Sequence, residues 1–220
     1  MQFNEAQIQA IQHNTGPCMV IAGPGSGKTT VLTHRVRYLI ERYGVNPSDI
    51  LVITFTKAAA EQMKLKFKGL SEGRNSAVTF GTFHAVFFTI LKAAYNYSAH
   101  CIIKPQIQHE FVKDQMCRLE LEYDDENEAV AGVLSEISCV KGEDVNIDEY
   151  ESRCIPPQSF RIMYRAYDDM LVRKHLIDFD DMIVQCRELL MQREDYRRAW
   201  QNKYKYLSLI HISEPTRLAL

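Results

Sequence analysis

The clearest chemistry in the chain lies in one continuous stretch, Ala22-Gly23-Pro24-Gly25-Ser26-Gly27-Lys28-Thr29. The spacing fits the phosphate-cradling loop Ala/Gly-x-x-x-x-Gly-Lys-Ser/Thr, with Ala22 where the commoner form has glycine. Glycines let backbone N–H groups close on phosphate oxygens, and a helix N-terminus directly behind them adds positive partial charge. Lys28 is spaced to reach β- and γ-phosphates, and the Thr29 hydroxyl to hold Mg²⁺. The plain alternative is a Gly-rich turn with no ligand, and the flanking elements bear on that choice.

Before the loop, Cys18-Met-Val-Ile-Ala22 is a short apolar run that reads as a buried parallel strand. After it, Lys28 to Tyr43 reads as a helix, with Val31, Leu32, Arg35, Val36, Leu39 and Ile40 at helical spacing. Strand, turn and helix in that order are what a phosphate loop requires. Upstream, Asn4 to His13 reads as an amphipathic helix with Asn4 as N-cap. Gln7 lies in that helix. Its amide can pair donor and acceptor with an adenine edge, and a solvated helix glutamine is the ordinary alternative.

Further strands are expected at Ile50–Thr54 and Ala77–Phe80, and helices at Ala58–Gly69, with Gly69 as C-cap, and at Thr82–Tyr97; Ser71–Ser76 reads as a loop. Alternating strands and helices predict an α/β fold, a parallel sheet with helices on both faces. Ligands of such sheets bind at the C-terminal strand ends. Thr54-Phe55-Thr56-Lys57 and Gly81-Thr82-Phe83-His84 both fall there. Their hydroxyls, rings and basic groups can contact phosphates and stack bases, while capping threonines and core phenylalanines are the alternative.

From about Pro105 the pattern becomes helical, with helices expected over Gln106–Leu121, Asn127–Val140, Gln158–His175 and Asp180–Arg193. Asp178-Phe179-Asp180-Asp181 brings three carboxylates into four positions. An acidic helix cap and a metal site are both open readings.

The whole chain of 220 residues is 46% hydrophobic and 25% charged, with a net charge of −2. No global basic field points to nucleic acid, so any such contact must be local. No apolar run reaches membrane-spanning length, no signal peptide opens the chain, and the six scattered cysteines read as reduced thiols. Together these predict a cytoplasmic protein without a membrane partner.

In this order the segments resemble the superfamily 1 helicases of the UvrD/PcrA/Rep type, from Phe3 to about Tyr206. Phe3-Asn4-x-x-Gln7 resembles the family's Q motif and Ala22–Thr29 its motif I. Thr54-Phe-Thr-Lys-Ala-Ala-Ala60 resembles motif Ia, where the family writes Thr-Phe-Thr-Asn-Lys-Ala-Ala and this chain is one residue shorter. Phe80-Gly-Thr-Phe-His84 resembles motif Ib, and Asp178-Phe-Asp-Asp181 a segment whose Phe touches single-stranded DNA.

The resemblance implies a P-loop NTPase, RecA-like, with an all-helical inserted subdomain. The first RecA-like part would take residues 1–90 and 186–206, and the insert 91–185. It implies ATP and Mg²⁺ as cofactors, with Gln7, Ala22, Gly23, Pro24, Gly25, Ser26, Gly27, Lys28, Thr29, Thr30 and Arg35 on ATP. Lys28 and Thr29 would be the catalytic pair and Thr29 the Mg²⁺ ligand. Thr54, Phe55, Thr56, Lys57, Gly81, Thr82, Phe83, His84 and Phe179 would lie on DNA. Single-stranded DNA and single-strand/duplex junctions are the implied partners, and ATP-driven 3′→5′ movement the implied activity.

The family continues with a strand, expected to start near Tyr204–Tyr206, followed by Asp-Glu-x-x-Asp. Here the chain reads Leu207-Ser-Leu-Ile-His-Ile-Ser-Glu-Pro-Thr-Arg217 and on to Leu220. Residues 207–220 resemble translated sequencing-adapter DNA, and a genuine strand over Leu207–Ile212 is the alternative. Without the acidic pair the 220 residues are expected to be inactive alone. Another P-loop NTPase, or a non-catalytic protein that binds nucleotide or single-stranded DNA, remains the competing reading.

Overall fold

The computed structural model describes residues 2–71, 77–143 and 145–210. It divides into two compact units, one of residues 1–86 and 193–220 and one of residues 87–192.

The first unit holds a three-stranded parallel sheet, order β2-β1-β3, formed by β1 (Ile50–Thr54), β2 (Thr79–Thr82) and β3 (Tyr206–Ile210). Every residue of β1 is buried, as befits a central strand of a sheet packed on its faces. Thr54 at its end stands opposite Thr82 of β2 and Ile210 of β3. Around the sheet lie α1 (Glu5–Gln12), α2 (Lys28–Tyr43) and α3 (Lys57–Leu70). Val36 and Leu39 from α2 and Met63 and Phe67 from α3 close the core over Ile50, Val52 and Ile210.

The start of α1 shows why its sequence folds as it does. Asn4 accepts from the Gln7 backbone N–H at 2.9 Å while the Gln7 side chain accepts from the Asn4 N–H at 3.0 Å, a reciprocal capping box. α2 begins at Gly27 and ends at Gly44, both left-handed, the second closing the helix with its N–H on the Leu39 carbonyl.

Three local expectations differ. The run Cys18–Ala22 forms no ladder with either sheet edge, and Met19, Val20 and Ile21 are 85%, 58% and 87% exposed. Apolar composition marks a run that can be buried, but a strand also needs a neighbour, and β1 is already paired on both sides. β2 lies two residues further along than the apolar run suggested, because parallel register with β1 sets it at Thr79–Thr82. The end of α3 is not Gly69 but Ser71, whose N–H reaches the Phe67 carbonyl. The loop expected at 71–76 lies, beyond Ser71, outside the described residues, as does the tail from 211. Residues 207–210, placed between a tail and a strand by sequence, lie in β3.

The second unit contains most of α4 (Phe83–Tyr95) and all of α5 (Pro105–Arg118), α6 (Glu126–Glu143), α7 (Pro157–Arg173) and α8 (Phe179–Gln192). α9 (Glu194–Lys203), beyond the last helix expected from sequence, belongs to the first unit. In the helical unit Val112, Val130, Val133, Phe160 and Met163 have no exposed surface. One parallel bridge, Ile102 with Ile177, ties the strap before α5 to the strap before α8. The Ile177 N–H reaches the Cys101 carbonyl at 2.7 Å, and the Ile103 N–H reaches the Ile177 carbonyl at 3.0 Å. No helix among the described residues is long and apolar enough to cross a membrane.

Candidate functional site

The loop of residues 22–29 is built as its composition requires. Gly25 and Gly27 have φ of 74° and 81°, a region that costs an L side chain roughly 1–2 kcal/mol. Ser26 turns inward, its hydroxyl donating to the Gly23 carbonyl at 2.7 Å. Lys28 folds back over the loop and donates to the Ala22 and Gly23 carbonyls, each at 3.0 Å. Its ammonium therefore stands over the same backbone that the glycines expose.

The N-terminus of α2 is open to an anion. Gly27 at the N-cap supplies no side-chain bond, and the first turn holds no acidic residue. The leading N–H groups and the positive helix end are what a phosphate needs. The donor set thus fits a nucleotide's phosphates. It fits Mg²⁺ less fully. Thr29 sits in the first turn of α2, but no group of three or more His, Cys, Asp or Glu able to hold a metal occurs among the described residues. A cation here would be held through phosphate oxygens and water, with Thr29 as its protein ligand.

Gln7 of α1 borders the loop, and Arg35 of α2 meets the end of α1. The Gln7 amide donates to the Ser26 carbonyl at 3.1 Å while its oxygen caps its own helix. Arg35, half buried, donates to the backbone carbonyls of Ala10 and His13 and so binds the end of α1 to α2. Phe3 meets the His34 ring edge-on at 4.8 Å. Thr30 lies one residue further into α2, where the N–H of Val31 already takes the Gly27 carbonyl at 2.9 Å.

At the C-terminal strand ends the segments Thr54–Lys57 and Gly81–His84 come together. Thr54 and Thr82 are register partners, and Phe55 and Phe83 meet edge to face at 5.6 Å. Phe55 is 61% exposed, so this pair is not simply core. Thr54 is buried. Thr56 caps α3 by accepting from the Ala59 N–H at 3.2 Å, and Thr82 accepts from the Ala85 N–H at 3.3 Å, the local capping role that sequence left open. Lys57 projects into solvent with an 89% exposed side chain, 4.0 Å from Glu61. His84 is the second residue of α4, and a side chain at Gly81 would meet Val86 at ordinary contact distance.

Phe179 belongs to the helical unit, at the first position of α8, and is 54% exposed. Its neighbours hold the strongest electrostatic feature of that unit. Lys141 of α6, with only 4% of its side chain exposed, lies 3.0 Å from Asp168, 3.0 Å from Asp178 and 2.8 Å from Asp181. The Tyr167 ring lies under its Nζ at 5.1 Å, and the Tyr167 hydroxyl donates to Asp178 at 3.2 Å. Burial acts to lower the Lys141 pKa, but Asp178, Asp181 and Asp168 overcome it and hold the group charged, above the usual lysine range.

Asp181 is pushed up to about 6, by burial first and Asp178 second, with Lys141 opposing. Asp178 caps α8, accepting from the Asp181 N–H at 2.7 Å. Of the two readings of this acidic segment, the structure selects the helix cap. Lys141 was missed by sequence, although it lies one turn after Ile137 and two turns after Val133, on the apolar stripe of α6.

A glycine-rich turn between α1 and α2 with an open helix N-terminus, beside a parallel sheet, defines an α/β protein with a place that fits an anion. The comparisons make this narrower. The profile described as UvrD/REP helicase N-terminal domain matches residues 3–210, and the chain belongs to that family. It is similar to the ATP-dependent DNA helicase Rep of Escherichia coli (strain K12), 34% identical over 94% of this chain and 31% of that protein. It is also similar to the ATP-dependent DNA helicase PcrA of Staphylococcus epidermidis, at 30% over 96% of this chain and 29% of that one. The putative ATP-dependent DNA helicase YjcD of Bacillus subtilis is 31% identical over 93% and 28%. The chain therefore spans less than a third of the length of these relatives.

Proposed function

We propose that this chain is the nucleotide-binding N-terminal part of an ATP-dependent DNA helicase that moves 3′→5′ on single-stranded DNA and unwinds duplex in DNA repair or replication in the cytoplasm. The sheet unit would be part of a RecA-like domain and the helical unit its insert. The observation that carries the reading is the loop itself: left-handed Gly25 and Gly27, Lys28 over the loop carbonyls, and an uncapped α2 N-terminus, in a chain of this family.

The geometry supports the following roles. The N–H groups of residues 25–30 bind phosphate oxygens, and Lys28 leaves the Ala22 and Gly23 carbonyls for the β- and γ-phosphates. Gln7, held between Asn4 and Ser26, and Arg35, fixed on Ala10 and His13, border the base. Thr29 would hold Mg²⁺, which would supply neutralisation of developing phosphate charge. Phe55 and Phe83 offer a stacking edge, Lys57 and His84 polar contacts to a phosphate backbone, and Phe179 a second ring for bases.

The chain alone is proposed to bind nucleotide weakly and not to turn it over, because hydrolysis also needs a carboxylate that positions water. Fluorescent ATP-analogue titration of the 220-residue chain should show weak, Mg²⁺-dependent binding that is lost in Lys28→Ala. DNA-stimulated ATP turnover that disappears in Lys28→Ala would overturn the inactivity, and binding unchanged in that variant would overturn the site.

A further inference from the structure

We propose that Lys141 is a positioning residue for DNA contact: it clamps both ends of the Asp178–Asp181 turn and thereby fixes the exposed Phe179 ring for stacking on a base. The inference rests on the reading of Phe179 as a single-strand contact.

A lysine ammonium taken out of water costs several kcal/mol unless its partners compensate closely. Here three carboxylates do so, and they are not spread at random. Asp178 immediately precedes Phe179 and Asp181 follows it by two residues, both within 3.0 Å of the same Nζ. The two are also bonded to each other's backbone, Asp181 N–H to Asp178 at 2.7 Å and Asp178 N–H to Asp181 at 3.4 Å. The turn that carries Phe179 is therefore closed locally and then locked to α6 by one buried cation.

The lock is tied into α7 and α5 as well. Asp168 supplies the third carboxylate, Tyr167 supports Asp178, and Gln108 donates to the Tyr167 hydroxyl at 2.6 Å. All of these residues lie in the helical unit, whose core cluster is built from apolar and aromatic side chains. Apolar side chains of similar volume would hold three helices together about as well as a buried ion cluster does. What the cluster adds is direction. A residue packed by shape alone tolerates small rotations, whereas a cation bonded on both sides of Phe179 does not. Stacking on a base depends on that orientation.

The test is a double-mutant cycle on the full chain, read by anisotropy of a fluorescein-labelled oligothymidylate at low salt. Phe179→Ala should weaken binding roughly 10-fold, within the range of a lost base stack. Lys141→Gln should weaken it by a similar factor, and the double variant no further than Phe179→Ala alone. Asp169→Asn serves as the control, since it removes a surface carboxylate paired with Arg173 at 3.6 Å and outside the cluster; its affinity should stay within about twofold of the parent. If Lys141→Gln does not fold, Asp181→Asn enters the same cycle with the same expectation. Additive losses, or a Lys141→Gln chain that binds like the parent while Phe179→Ala does not, would overturn the positioning role alone. A Phe179→Ala chain that binds like the parent, or a parent that holds no oligonucleotide, would overturn the stacking reading and the clamp with it.

Discussion

The two units of this chain solve the burial problem differently. The helical unit closes on itself: Phe160, Met163, Val112, Val130 and Val133 show no exposed surface, and its buried cation is surrounded by carboxylates. The sheet unit leaves Met19, Val20 and Ile21 bare, and the outer residues of its edge strand, Leu207 and Leu209, are 58% and 59% exposed. The first closes its apolar side chains in, while the second leaves its edge strand and the run before the loop uncovered. The difference puts the glycine-rich loop in the less completely covered unit, as functional segments commonly are.

The sharpest way to break this comparison is to open the helical core. Phe160→Ala should cost about 3–5 kcal/mol, the usual penalty for emptying a closed aromatic site. Chemical denaturation followed by circular dichroism should then show helical signal lost well before the parent's. A loss of less than about 1 kcal/mol would show the helices to be loosely packed and the contrast to be wrong.

The ion cluster gives the next largest effect, and its sign is informative. Asp181 titrates at about 6 in the folded chain against an ordinary 3.8. Between those values the folded state holds a proton that the unfolded chain has released. Stability contributed through this group therefore rises as pH falls from about 6 toward 4 and is least above 6. Relative to Asp181→Asn, the parent should gain on the order of 2–3 kcal/mol from pH 7 to pH 4. Parallel urea titrations of both chains across that range would reveal a flat difference if the raised pKa were not real.

A smaller effect tests the sheet unit. Asn4→Ala removes half of the capping box and should cost about 1 kcal/mol. Because Gln7 also holds the Ser26 carbonyl, the same variant should loosen the phosphate loop and weaken nucleotide binding severalfold. Equal destabilisation with unaltered nucleotide affinity would separate the cap from the loop.

How much of this was legible in sequence follows the same division. α2 and β1 were read with their bounds intact, because helical spacing and apolar runs are local signals. The meeting of Thr54 with Thr82 followed from parallel topology. Lys141 was not found, since its partners lie 27 to 40 residues away and nothing in a helix period announces a paired cation. The strand expected at Cys18–Ala22 was misplaced for the same reason: its composition is local, but a ladder requires a partner strand that composition does not specify.

That run supplies the smallest and most discriminating prediction. Ile21 is 87% exposed, so Ile21→Ser removes little packing and should change stability by no more than about 0.5 kcal/mol. A buried isoleucine at the same position would cost several times more on truncation. The variant should also be more soluble, because a contiguous apolar stretch on the surface favours association. Sedimentation at increasing concentration, alongside denaturation, checks both halves. If Ile21→Ser instead unfolds the sheet unit, the run is paired in solution and the sheet is larger than the three strands described, which would make the two units alike in how completely they bury their apolar residues.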